Sequence, residues 1–186
     1  KGVKISTRAL LNQVRAYGEF VRYEPGDSVV SWLPHYHDMG LIACILMPFV
    51  RGVPVYMMSP FEWVRNPRLL FDWIARVRGT HVWLPNFALG HLAKSCGDEA
   101  PGAFDLSSLK RIVCCSEPVL RDTVEPFIAA FEPAGVRASV FSSVPCAAKS
   151  AETSTPLIPR PPRRRSSRSA AHTARPWPQA PSACPV

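Results

Sequence analysis

The sequence predicts an α/β fold, a mainly parallel sheet flanked by helices, followed by a disordered C-terminal tail. Three observations carry this reading. Short apolar, β-branched runs alternate with segments of helical spacing over residues 1–142, the pattern of parallel βα architecture. Hydrophobic residues make up 47% and charged residues 19% of the 186, enough apolar side chain for one sizeable core. After residue 142 the alternation stops, and Pro, Arg, Ser and Ala dominate. Such a composition cannot bury enough apolar surface to offset chain entropy.

Each element has its own local signal. "STRALLNQVRAYGEF" places Leu10, Leu11, Val14 and Tyr17 on one helical face, with Ser6 as N-cap. "EPGD" reads as a turn and "SVVSWLP" as a buried strand. "MGLIACILMPFV" has the length of a buried helix, and "VPVYMMSP" is a second strand closed by Pro60. "NPRLLFDWIARVRG" is a helix punctuated by an early proline and by Gly79 after its end. "THVWLP" gives a third strand, then a helix from Phe87 to Lys94. "SSLKRIVCCSEP" carries a fourth strand, "VLRDTVEPFIAAF" a helix and "GVRASVF" a fifth strand.

Composition narrows the function classes. No apolar run reaches the ~18 residues of a membrane helix, since the run from Leu41 to Val50 stops at Arg51. The chain opens "KGVKIST", without an initiator methionine or an apolar leader, so a fragment is expected. The six cysteines are scattered with no C-x2-C pair, which fits reduced thiols and a cytoplasmic setting. Of the net charge of +8, six units lie from Ser143 onward, so the part expected to fold is nearly neutral. Nucleic acid is therefore not an expected partner of the folded part. The run Arg163-Arg164-Arg165 leaves a basic nucleic-acid-binding tail as an alternative. Trp63, Trp73 and Trp83 read as core or groove-lining aromatics, and Met57-Met58 as packing.

The densest reactive cluster is "SWLPHYHDMG", residues 31–40. Three readings of it stand side by side. His35 and His37 on one turn resemble the start of a metal-dependent hydrolase site, but Met39-Gly40 occupy the places where H-x-H-x-D-H needs Asp and His; no metal ligand is assigned. The cluster also fits a polar corner between strand and helix. The third reading comes from position: ligands of open parallel sheets bind outside the carboxyl ends of strands. "LPHYHDMG", "LPNFALG" and "CSEPV" each follow a strand, and together they would line one crevice.

Taken together, "SWLPHYHDMGLI", "MSPFEWVRNPRLLFDWIARVRGTH", "PNFAL" and "DLSSLKRIVCCSEPV" resemble the N-terminal catalytic region of fatty acyl-AMP ligases, within the adenylate-forming superfamily. The likeness runs from Lys1 to about Phe141 in order and spacing. It implies residues 1–142 as part of an AMP-binding, acyl-adenylating domain, with residues 143–186 as the disordered tail. It implies ATP and Mg2+, a fatty acid substrate, and an acyl carrier protein or coenzyme A as acceptor.

The resemblance also implies roles. His37 matches the histidine beside the adenylate and is the expected catalytic residue, while His35 falls where the family varies. Asp38 and Gly40 belong to the same motif and shape its turn at the substrate pocket. Asn86 and Phe87 match the block beside the acyl pocket, and Leu89-Gly90 replace the usual Tyr-Asp. Ser116, Glu117 and Pro118 match a loop lying against adenine, with Cys115 in place of a glycine. Lys1 matches the lysine that ends the phosphate loop. The YG-x-AE motif with its Mg2+-binding glutamate has no counterpart after "VFSS", where the sequence takes the composition of a GC-rich gene read out of frame. The isolated chain is accordingly expected to be inactive.

Overall fold

A computed structural model describes residues 4–114 and 119–143. Five strands form one all-parallel sheet in the order β2-β1-β3-β4-β5. They are β1 (Val29–Ser31), β2 (Val55–Met57), β3 (His81–Trp83), β4 (Arg111–Cys114) and β5 (Phe141–Ser143). β1 and β3 are buried throughout, which is why they read as unbroken apolar runs rather than as alternating ones. The α/β expectation holds.

The helices cover both faces. On one side lie α1 (Thr7–Val21) and a wide-wound π-helical segment (Met39–Leu46) that runs into α2 (Met47–Arg51). On the other lie α3 (Pro60–Arg65), α4 (Arg68–Val77), α5 (Asn86–Cys96), the short α6 (Ala100–Ala103) and α7 (Arg121–Phe131). Phe71, Phe104, Phe127, Phe131 and Phe141 interlock between α4, α7 and β5, with neighbouring ring centroids 4.6–6.4 Å apart.

Several local expectations shift. Ser6 caps α1 through a hydrogen bond accepted from the Ala9 N–H, but Leu11 stays 39% exposed. The apolar run 39–50 buries only one side, leaving Phe49 at 80% exposure. Its winding loosens just before Pro48, which has no N–H to continue the ladder. The α3 helix was not foreseen; Ser59 caps it by accepting from the Phe61 N–H, and Pro60 opens it rather than closing β2.

At the end of α4 the left-handed cap is Arg78 (φ 51°), not Gly79. Gly79 is needed for closeness instead: a Cβ there would meet Val30 Cγ2 at 2.5 Å. α5 extends past both expected ends, and β5 occupies only the end of "GVRASVF", after a 3-10 turn over Ala138–Val140. Trp63 and Trp83 are fully buried, whereas Trp73 is 36% exposed beside Tyr56, and Met57 is exposed on the edge strand. Cys44, Cys96 and Cys114 are buried thiols. Lys1, the loop 115–118 and the tail 144–186 lie outside the described residues.

The amino end of the sheet holds a buried polar network. Gly26 (φ 87°) closes the "EPGD" turn, and the Glu24 N–H donates to the Asp27 carboxylate at 2.8 Å. Thr80 Oγ1 accepts from the Ser28 N–H and lies 2.8 Å from His81 Nδ1. Burial pushes the His81 imidazole down to about 4, leaving it neutral at pH 7 despite Asp27 at 4.0 Å. Burial alone would raise the Asp27 carboxyl, but the Lys110 ammonium at 2.8 Å and the Glu24 N–H hold it below the ordinary carboxylate range.

Candidate functional site

The order 2-1-3-4-5 reverses direction between β1 and β3, so the two carboxyl-end loops that leave these strands part and open a crevice. A cleft of about 340 Å³ lies there, lined by Trp32, Leu33, Pro34, His37 and Met39 after β1 and by Pro85 and Phe87 after β3. A more open groove of about 530 Å³ between α5 and α7, with Lys94 and Asp98 on its walls, lies among helices rather than at strand ends. The switch-point cleft is therefore the candidate site.

The β1 loop is built tightly. Ser31 Oγ accepts from the Leu33 N–H at 3.1 Å, and the His37 N–H closes a turn onto the Pro34 carbonyl at 3.1 Å. Asp38 caps the π-helical segment, its Oδ1 accepting from the Met39 N–H at 2.7 Å. Gly40 has no steric alternative: a Cβ there would sit 2.2 Å from the Pro34 carbonyl oxygen. Asp38 and Gly40 thus shape the turn, and neither lines the cleft.

His37 is the titratable side chain on the cleft wall, half-exposed, with Nδ1 2.8 Å from Asp38 Oδ1. Nδ1 also accepts from the Met39 N–H at 3.3 Å, so this nitrogen is engaged on the turn and Nε2 is the atom left for a ligand. His35 and Tyr36 sit outside on the exposed turn. Among the described residues no group of three or more His, Cys, Asp or Glu side chains is placed to hold a metal, so nothing completes a His35/His37 metal site.

The β3 loop divides its two expected residues. Phe87 lines the cleft and packs edge-on against Trp32, ring centroids 6.1 Å apart. Asn86 does not line the cleft; its Oδ1 accepts from the Leu120 N–H at 3.2 Å and its Nδ2 donates to Thr123 Oγ1 at 3.4 Å. It serves as a borrowed cap for α7, whose own N-cap residue Leu120 has no polar side chain. The cleft residues that the sequence did not single out are Trp32, Leu33, Pro34, Met39 and Pro85. They stand inside the quoted motifs after β1 and β3, but an apolar residue there reads equally well as core. Lys1, Ser116, Glu117 and Pro118 lie outside the described residues.

An apolar cleft with His37 on its wall, at the switch point of a parallel α/β sheet, lies where folds of this class hold ligands. Residues 1–140 match the family model described as AMP-binding enzyme, and the chain belongs to that family. The medium-chain-fatty-acid–[acyl-carrier-protein] ligase JamA of Moorena producens is 36% identical over 137 residues, which are 74% of this chain and 23% of that protein. The long-chain-fatty-acid–AMP ligase FadD32 of Mycolicibacterium smegmatis is 39% identical over 140 residues, 72% of this chain and 22% of that one. A fatty acyl-adenylate ligase from L. pneumophila, solved with acyl adenylate and pyrophosphate, superposes with a TM-score of 0.73 at 36% identity, covering 76% of this chain and 25% of that chain. The chain thus spans about a quarter of the length of the relatives it matches. No helix among the described residues is long and apolar enough to cross a membrane.

Proposed function

We propose that the protein to which this segment belongs activates a fatty acid: a carboxylate oxygen attacks the α-phosphate of ATP, pyrophosphate leaves, and an acyl-adenylate remains. The observation that carries this is the switch-point cleft, with His37 on a wall otherwise made of apolar side chains and prolines. An alkyl chain suits the apolar walls. The carboxyl end suits His37, whose Nε2 can donate to a carboxylate or phosphate oxygen when the ring carries both protons. Holding the two anions together and stabilising the charge that develops at phosphorus are the tasks of such a site. Membership of the AMP-binding family supports ATP as the second substrate. Mg2+ would arrive with ATP and offset the charge of its phosphates.

The acyl group is proposed to pass to the phosphopantetheine thiol of an acyl carrier protein, the sulfur bonding the acyl carbon as AMP leaves, a reading supported by relatives named as acyl-carrier-protein ligases. Lys1 at the phosphates and residues 116–118 against adenine belong to the same proposal. The test is fatty-acid-dependent ATP–pyrophosphate exchange by the full-length protein, with His37→Ala expected to lower the rate about a hundredfold. Exchange that ignores the fatty acid, or a variant with wild-type rates, would overturn the reading. The 186-residue chain by itself is expected to give none.

A further inference from the structure

Trp32 and Trp63 stack face to face, ring centroids 3.7 Å apart and planes 4° from parallel. Both indole N–H groups are buried, and neither has an acceptor among the described residues. Trp83 shows what a buried indole ordinarily does here: its N–H donates to the Tyr17 hydroxyl at 2.7 Å. A desolvated N–H without an acceptor costs free energy that a bound acceptor would return. The two rings differ in place, because Trp32 lines the cleft, whereas Trp63 is fully buried and does not.

The other donors around the cleft are nearly all spent or missing. The Leu33 N–H is held by Ser31 Oγ, the His37 N–H by the Pro34 carbonyl and the Met39 N–H by Asp38. Pro34 and Pro85 have no N–H, and the side chains of Leu33, Met39 and Phe87 carry no donor. Among the described side chains that line the cleft, the donors are the His37 imidazole and the Trp32 indole, whose N–H is buried beneath the surface of the wall.

We propose that the Trp32 indole N–H donates a hydrogen bond to a carboxylate oxygen of the acid in the cleft, sharing that anion with His37. This makes Trp32 a substrate-positioning residue, and the inference rests on the fatty-acid reading above. Because Nε1 is buried in the stacked arrangement, the ring turns slightly to reach the acid, which frees its donor from an acceptorless position. The neighbouring Trp63 N–H has no such route and stays part of the packing.

The experiment is titration of the 15N-indole-labelled chain with monomeric decanoate and, separately, with decanol, with Trp32 assigned from the Trp32→Phe spectrum. Decanoate is expected to move the Trp32 N–H resonance downfield, and decanol to leave it without that shift while still perturbing the Met39 methyl. Trp32→Phe, which keeps a stacking ring but removes the donor, is expected to weaken decanoate about tenfold or more. Trp63→Phe is expected to leave decanoate affinity within about twofold. A Met39 methyl that shifts with decanoate while the Trp32 N–H stays still would overturn the inference and leave the acid site standing. Equal losses in the two variants would overturn it too, since packing would then explain both. No shift anywhere in the cleft would sink this inference and the acid-binding reading together.

Discussion

Replacing Gly40 by alanine tests whether the histidine turn is held by a backbone contact that tolerates no side chain. An ideal Cβ on Gly40 lies 2.2 Å from the Pro34 oxygen, 2.9 Å from the Pro34 carbonyl carbon and 3.2 Å from the Leu33 oxygen. Carbon and oxygen approach to about 3.3 Å at best, so the Pro34 carbonyl must retreat by about 1 Å. It cannot do so alone, because Pro34 O accepts the His37 N–H and Pro34 lines the cleft. Overpacking of this kind costs about 1–3 kcal/mol, and the strained turn bond adds up to about 1 kcal/mol. A total of about 1–4 kcal/mol is expected, which at a urea slope of about 2 kcal/mol/M lowers the unfolding midpoint by about 0.5–2 M. The His37 ring resonances of the folded variant should move with the turn. A midpoint within about 0.3 M of the parent, with His37 unmoved, would refute the reasoning.

Further outcomes follow from the same structure. Gly90→Ala should stabilise the chain by about 0.5–1 kcal/mol, because Gly90 lies inside α5 and its Cβ would meet nothing nearer than Thr123 Cγ2 at 3.6 Å; a lower urea midpoint would contradict this. Stability should fall on acidification. The buried His81 titrates at about 4 against 6.5 in the unfolded chain, so its contribution is complete above about pH 6.5. About 3 kcal/mol of it is lost as the pH falls towards 4. A flat midpoint between pH 7 and 4.5 would contradict the His81 reading; Asp27, also held below its ordinary value, acts in the same direction at still lower pH. Asn86→Leu should cost about 2 kcal/mol and speed amide exchange at Leu120 and Thr123, since it strips α7 of its borrowed cap.

Much of the fold was legible because its signals are local. Ser6 and "EPGD" announce themselves through side chains that bond their own neighbours, and β1 and β3 through unbroken apolar runs. What failed was whatever a distant contact decides. Gly79 reads as a helix terminator, yet Arg78 adopts the left-handed turn while Gly79 is kept small by Val30 from another strand. Asn86 matches a pocket motif, yet its two hydrogen bonds reach 34 and 37 residues along the chain to α7. Leu11 and Phe49 belong to apolar faces wider than the surface available to cover them.

The sequence by itself determined the alternation of strands and helices, the parallel class and the motif that holds His37, because periodicity and turn chemistry act over a few residues. Tertiary structure alone decided the strand order, and with it the crevice between β1 and β3. It also brought Phe87, about fifty residues along the chain, to the wall that holds His37, and stacked Trp32 on Trp63 with neither N–H finding an acceptor among the described residues. The physical reason is that a side chain's chemistry is fixed by its type, whereas burial and the partner it meets are fixed only when distant strands and helices pack.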